Sequence, residues 1–237
     1  MSKIKEIVLD TETTGLDPYP TDTNPTGHRV IEIGAVELLG HMPTGKTFHQ
    51  YVNPERSVPK ESTMIHGLTN EDLSDKPTFQ MIADDFLTFI NGGVLIIHNA
   101  EFDLKFLNCE LKKANKDDLS NFDFIDTLKL ARKKFPSRQN SLDALASRFG
   151  IDRSARKDFH GALVDTNILS KVYLELIGGS QPDFTLDNIQ QKKTLINTEN
   201  NYTSQRSKKL TKRLKEDEIK AHSDFIKSIG GEKKWNY

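Results

Sequence analysis

The order in which hydrophobic periodicities follow one another most limits the folds open to this chain. Residues 5–11, 29–39 and 46–53 read as three strands. "KEIVLDT" holds an apolar run, "RVIEIGAVELL" alternates in part, and "KTFHQYVN" is rich in aromatic and β-branched residues. Their hairpin-like connections predict antiparallel pairing. The pattern then changes. "TNEDLSDKPTFQMIADDFLTFIN" carries capping residues and a helical period in Phe79, Ile82, Phe86, Leu87 and Ile90. "VLIIHN" (94–99) suits a buried strand, and "AEFDLKFLNCELKKA" continues as a helix. "FDFIDT" reads as a fifth short strand, with helices after it near 127–134, 141–149 and 161–177. Three hairpin strands followed by strand–helix alternation predict an α/β domain built on a mixed sheet flanked by helices. The sequence shows neither internal repeats nor a Gly-rich phosphate loop.

A chain of 237 residues supports one good core plus an extension. No apolar run approaches the length of a membrane span, and "MSKIKEIVLD" has no signal-peptide core. Cys109 is the only cysteine, so no intramolecular disulfide can form. These features predict a cytoplasmic protein without a membrane partner. Charge divides unevenly along the chain. Residues 186 onward hold 12 Lys+Arg against 7 Asp+Glu, whereas residues 1–185 hold 21 against 27, a net of −6. "NTENNYTSQRSKKLTKRLKEDE" is polar and reads as a linker. "EDEIKAHSDFIKSI" regains a helical stripe in Ile219, His222, Phe225, Ile226 and Ile229. An acidic domain that binds a polyanion needs metal ions or a local basic patch, so net charge neither predicts nor excludes DNA.

Four acids stand out against this background. Asp10 and Glu12 lie two apart at the end of an apolar strand, so they share one face. Two like charges there repel, and an unpaired buried carboxylate is costly. Asp103 shares a helix face with Phe106 and Leu107, and Asp165 is in register with Leu169, Val172 and Leu176. His160 precedes that last helix. A lone Asp near a helix start is most often a cap or a dipole partner. Carboxylates from a strand and two helix starts, however, converge only where a cation compensates them. Oxygen ligands suit Mg²⁺ or Mn²⁺, whereas zinc favours His and Cys. Two such cations can clamp the attacking and leaving oxygens of a phosphodiester, and an imidazole can take the proton of the attacking water.

"DTETTGL", "HNAEFDLKFL" and "HGALVDTNIL", in that order and spacing, resemble the three motifs of the DnaQ-like 3′–5′ exonucleases. The His five residues before the last Asp matches the His-type DEDD subclass. The resemblance runs over about residues 5–179 and is greatest to the epsilon proofreading subunits of bacterial DNA polymerase III. It implies an RNase H-like fold with a mixed five-stranded sheet, and two Mg²⁺ or Mn²⁺ ions as cofactors. It makes Asp10, Glu12 and Asp165 metal ligands, with Asp10 bridging both ions. Asp103 would help to hold the second ion, through water, and His160 would be the general base. Thr13, Gly15 and Leu16 would cradle the 3′-terminal nucleotide of a single-stranded or frayed DNA end. Gly15 would do so by letting the backbone approach closely. Glu61 would contact the terminal sugar and His66 the terminal nucleotide; spacing alone singles out neither.

The resemblance also divides the chain. Residues 1–180 would be the exonuclease domain and 187–216 a flexible linker. "QPDFTL" (181–186) resembles the short peptides that bind a sliding clamp, with Gln181, Phe184 and Leu186 as anchors. Residues 217–237 resemble the segment that docks onto the polymerase alpha subunit. The physical reason is independent: Ile219, Phe225, Ile226, Ile229 and Trp235 lie beyond a polar linker, and an apolar stripe without its own core suits a partner. The expected function is therefore a proofreading subunit that removes mispaired 3′-terminal nucleotides as nucleoside 5′-monophosphates. A free-standing enzyme trimming RNA 3′ ends would not need the apolar tail helix. A non-catalytic subunit joining polymerase and clamp would not need the complete acidic set.

Overall fold

The structure, a computed structural model, describes residues 4–22, 24–155, 160–178 and 216–228. Five strands form one sheet: β1 (Lys5–Thr13), β2 (Val30–Leu39), β3 (Met42–Tyr51), β4 (Val94–Ile97) and β5 (Phe124–Asp126), in the order β3-β2-β1-β4-β5. β1–β2 and β2–β3 are antiparallel, whereas β1–β4 and β4–β5 are parallel. The helices are α1 (Lys60–His66), α2 (Asn70–Ser74), α3 (Phe79–Ile90), α4 (Ala100–Lys113), α5 (Thr127–Lys134), α6 (Leu142–Arg148), α7 (Ala162–Leu176) and α8 (Glu216–Ser228). The chain divides into two units, 1–186 and 187–237, and α8 belongs to the second. No described helix is long and apolar enough to cross a membrane.

β1 runs through the middle of the sheet with both faces covered, which is why its apolar residues are consecutive. Ile7 and Leu9 pack with Phe79, Phe86, Phe106 and Leu107 of α3 and α4. Val8, between them, points the other way and packs with Leu169 and Tyr173 of α7. α7 spends its remaining apolar positions, Ile168, Val172 and Leu176, on Ala131, Leu145 and Ala146 of α5 and α6. A buried bidentate pair, Arg29 to Glu110 at 2.7 and 2.8 Å, ties the entry of β2 to α4.

The mixed sheet matches expectation, but α1 and α2 do not appear in the sequence reading. α1 buries only Ser62 and His66 while Met64 and Ile65 face outward, so it shows no amphipathic period. Its signals are local: Pro59 at the N-cap and Gly67, with φ 76°, at the end. α2 is set by the reciprocal cap between Thr69 and Asp72. β3 begins earlier than expected, at Met42, because Pro43 and Gly45 conceal its first half.

Gly34 fixes the helix that matters most for the site. It pairs with Asp10 across β1–β2, and a Cβ there would lie 2.4 Å from the Ala162 and Leu163 backbone. The Thr166 hydroxyl donates to the Gly34 carbonyl at 3.2 Å. The first turn of α7 thus rests on bare backbone at the level of Asp10, a closeness no residue with a side chain permits.

Candidate active site

Strand alternation gives Asp10 and Glu12 the same face as Val8, the face α7 covers. Asp165 lies one turn before Leu169 on α7, so its carboxylate looks back at the end of β1. Asp103 arrives from the other side of the sheet, on α4. The Thr11 amide and hydroxyl both donate to its Oδ1, at 3.0 and 2.7 Å. His160 is 47% exposed, with Nδ1 3.4 Å from Asp165 Oδ2. Its backbone N–H donates to the Ile65 carbonyl of α1 at 3.0 Å. Ligand atoms of Glu12, His160 and Asp165 all lie within 4.8 Å of one another.

This convergence is electrostatically costly to the protein alone. Enclosure by protein raises the Asp10 pKa well above the usual carboxylate range, and Asp103, Glu12, Asp165 and Glu32 raise it further. Burial pushes Asp103 up to about 7 against the lowering effect of the Thr11 hydrogen bonds. A divalent cation reverses both penalties. The donor set of hard carboxylate oxygens with one imidazole fits Mg²⁺ or Mn²⁺.

Beside the acids opens a cleft of about 600 Å³. Glu12, Thr13, Gly15, Leu16, Glu61 and His66, all singled out in the sequence, line it. Thr13 donates to the Gly15 carbonyl at 2.7 Å, and Ser62 of α1 donates to the Thr14 carbonyl at 2.9 Å, which clamps the loop. The glycine at 15 has a different immediate cause from the one expected. A Cβ would lie 2.3 Å from the His28 ring, which sits 3.1 Å from Thr14 Oγ1, so Gly15 makes room for a neighbour within its own loop. At the cleft's inner end the Leu68 N–H donates to His66 Nδ1 at 3.0 Å. The neutral ring therefore carries its proton on Nε2, which is buried without a protein partner. Burial first, and then His160, lower the His66 pKa to about 4, so the ring is a neutral donor at pH 7.

Two contributors escaped the sequence reading. Thr11, which orients Asp103, looks like an ordinary strand threonine. Glu32 faces Glu12 across β1–β2, is buried, and bonds His49 Nε2 at 2.8 Å. Its signal was a charged residue at an inward position of β2. Among the tail positions, Ile219 and Phe225 are exposed on α8, which also carries Ile226. Gln181, Phe184, Leu186, Ile229 and Trp235 lie outside the described residues.

Residues 7–173 match the exonuclease (RNase_T) family model. The chain is 44% identical over 234 residues to the DNA polymerase III subunit epsilon of Rickettsia conorii, covering 97% of this chain and 98% of that one. It is 40% identical over 238 residues to the protein of the same name from Escherichia coli, covering 98% and 97%. Among solved structures, the nuclease domain of 3′hExo, a DEDDh family member bound to rAMP, is similar with a TM-score of 0.60 at 20% identity, over 74% of this chain and 92% of that one. Exonuclease X in complex with 5′ overhanging duplex DNA gives 0.54 at 23%, over 72% and 90%. These two likenesses are of fold, the RNase H-like mixed sheet with helices on both faces. Matched over most of its length by the family model and nearly end to end by its relatives, this chain belongs to the exonuclease family.

Proposed function

We propose that this chain is the proofreading 3′–5′ exonuclease subunit of a replicative DNA polymerase. The observation that carries the reading is the meeting of Glu12, His160 and Asp165, with Asp10 and Asp103 within electrostatic reach, beside a cleft of about 600 Å³ that Glu12 lines. Divalent-metal dependence is general to the family. Asp10, Glu12 and Asp165 would hold the two Mg²⁺ or Mn²⁺ ions, and Asp103 would assist. When bound, the ions supply Lewis-acid stabilisation of charge on the attacking and leaving oxygens of an in-line displacement. His160 accepts a proton from the attacking water as its oxygen bonds to phosphorus. The P–O3′ bond breaks and the leaving O3′ takes a proton from solvent, which releases a nucleoside 5′-monophosphate and leaves a new 3′-hydroxyl on the shortened strand. Thr13, Gly15 and Leu16 seat the terminal nucleotide, Glu61 meets its sugar, and the Nε2–H of His66 donates to it. A mispaired end frays at lower cost than a paired one, which biases entry toward errors.

Incubation with a 3′-mismatched primer–template is expected to release monophosphates from the 3′ end in Mg²⁺ or Mn²⁺, and none in EDTA. Release that persists in EDTA, or none with either metal from folded protein, overturns the reading.

In the cytoplasm, residues 1–180 serve as nuclease and the remainder as tether: 181–186 as clamp-binding peptide, 187–216 as linker, 217–237 as the segment docking on a polymerase alpha-like subunit. The exposed Ile219 and Phe225 on α8 support the last assignment. A flexible tether raises the nuclease's effective concentration at the primer end. Deleting 205–237 is expected to leave monophosphate release from single strands within about twofold of the full chain, because every residue named in the chemistry lies before 166. The same deletion should abolish co-elution with the polymerase subunit. Undiminished co-elution removes the docking assignment and leaves the nuclease one intact.

A further inference from the structure

We propose that a second groove on the same sheet edge, about 620 Å³ in volume, holds the phosphate backbone of the strand upstream of the terminal nucleotide. Arg132 and Arg138 are its cationic contacts. The proposal rests on the nuclease reading above, and it adds where the rest of the strand goes.

Parallel topology puts the two sites on one edge. β1, β4 and β5 run in the same direction, and their register aligns Val8 with Ile96 and Ile97 with Asp126. His98, just past β4, and Thr127, just past β5, therefore lie at the edge where β1 presents Asp10 and Glu12. β5 is two strand spacings, about 10 Å, from β1, a span that a few nucleotides cover. Between the two sites, Asp126 is near enough to Asp103 to raise its pKa.

The groove has a fixed wall and uncommitted charge. The His98 ring is held 2.9 Å from Thr127 Oγ1, and it also bonds the Asn140 backbone. Asn140 is buried, and its amide donates to the carbonyls of Phe135 and Arg138 at 3.1 and 3.0 Å, which fixes the turn. Most neighbouring basic residues are occupied; Lys133, beside Arg132, is exposed but does not line the groove. Lys129 pairs with Asp126, Lys134 bonds the Glu175 and Leu176 carbonyls, Arg148 bonds Asn140 and Gln139, and Arg153 pairs with Asp143. Arg132 and Arg138 are exposed, and among the described residues neither guanidinium has an ion pair or a hydrogen bond. Ser137, Ser141, Leu128 and Leu142 line the groove with them. Guanidinium and hydroxyl donors beside apolar side chains suit a phosphodiester and its sugar. Residues 1–185 carry a net −6, and a local basic patch eases the passage of a polyanion over that surface.

The test uses the full chain with Arg132→Gln and Arg138→Gln combined, and Lys133→Gln on the same helix as the control. Two substrates are compared: a short single-stranded oligodeoxynucleotide, and the p-nitrophenyl ester of thymidine 5′-monophosphate, which has no upstream nucleotide. The double variant is expected to raise KM for the oligonucleotide roughly tenfold and to lower the salt slope of its binding by about 0.7 per lost phosphate contact. Ester hydrolysis and the control should match the unmodified protein. An unchanged KM and salt slope for the oligonucleotide overturns the proposal. So does an equal loss on the ester, since the substitutions would then be acting through the catalytic site. Failure of the nuclease reading looks different: the unmodified chain would hydrolyse neither substrate. Anisotropy of a labelled oligonucleotide in EDTA would then still decide the groove, by whether the double variant binds more weakly.

Discussion

Asn in place of Asp10 is expected to abolish monophosphate release while making the metal-free protein more stable. The two effects have one cause. Asp10 is half-buried and lies among Asp103, Glu12, Asp165 and Glu32, so its charge is a burden on the fold until a cation offsets it. Asn keeps the shape and removes the charge. Loss of a proposed metal ligand forfeits several kcal/mol of transition-state stabilisation, on the order of a thousandfold in kcat. In EDTA the variant should gain roughly 1–2 kcal/mol, a few degrees in unfolding midpoint. Mg²⁺ or Mn²⁺ should raise the midpoint of the unmodified protein and leave that of the variant almost unmoved, because stabilisation by mass action needs the site. A variant that still cleaves, or whose midpoint rises with metal as the parent's does, excludes Asp10 as a ligand.

The pH dependence of the metal-free protein checks the same electrostatics with a definite sign. Asp10 and Asp103 have folded-state pKa values above their unfolded ones, Asp103 at about 7. Between about 4 and 7 the folded state therefore binds more protons than the unfolded, and stability falls as pH rises through that window. His66 contributes the opposite slope. Its folded pKa of about 4 lies below the ordinary 6.5, so the unfolded state takes up the proton, and stability rises across that interval. The difference between the curves of the parent and Asp10→Asn in EDTA cancels the His66 contribution and leaves that of Asp10 together with its interaction with the neighbouring carboxylates. That difference should widen as pH rises.

What the sequence made legible follows the range of each interaction. The five strands, the long helices and the placing of Asp103 and Asp165 on buried stripes are all periodic signals, and periodicity survives without knowledge of neighbours. α1 carries no such signal because it buries a serine and a histidine, yet it supplies Glu61, His66 and the carbonyl that anchors His160. Only the likeness to known exonucleases pointed to Glu61 and His66. Thr11 and Gly34 are illegible for a different reason. Their importance lies in partners more than ninety residues away, Asp103 in one case and the Ala162 backbone in the other. Gly15 has a local cause that the sequence does not display: room for the His28 ring within the loop.

His160→Ala is expected to lower kcat for monophosphate release by roughly 10²–10⁴-fold, the range for loss of a general base, with KM changed little. The structure makes this substitution unusually clean to read. The loop is anchored at this point by the His160 backbone N–H on the Ile65 carbonyl, a bond that any side chain leaves in place. The ring itself is 47% exposed and contributes little to the core. Loss of activity with an unchanged unfolding midpoint therefore reports on the imidazole and not on the fold. The same exposure supplies a second readout. Truncation to Ala opens a path from solvent to the space beside Asp165, so added imidazole should restore part of the rate in proportion to its concentration. A purely positioning role would give no such recovery, since free imidazole cannot hold the loop. Retention of more than about a tenth of the parent's kcat would move the proton to another acceptor. In that event Glu12, whose carboxylate lies within 4.8 Å of the His160 and Asp165 ligand atoms, becomes the residue to substitute next.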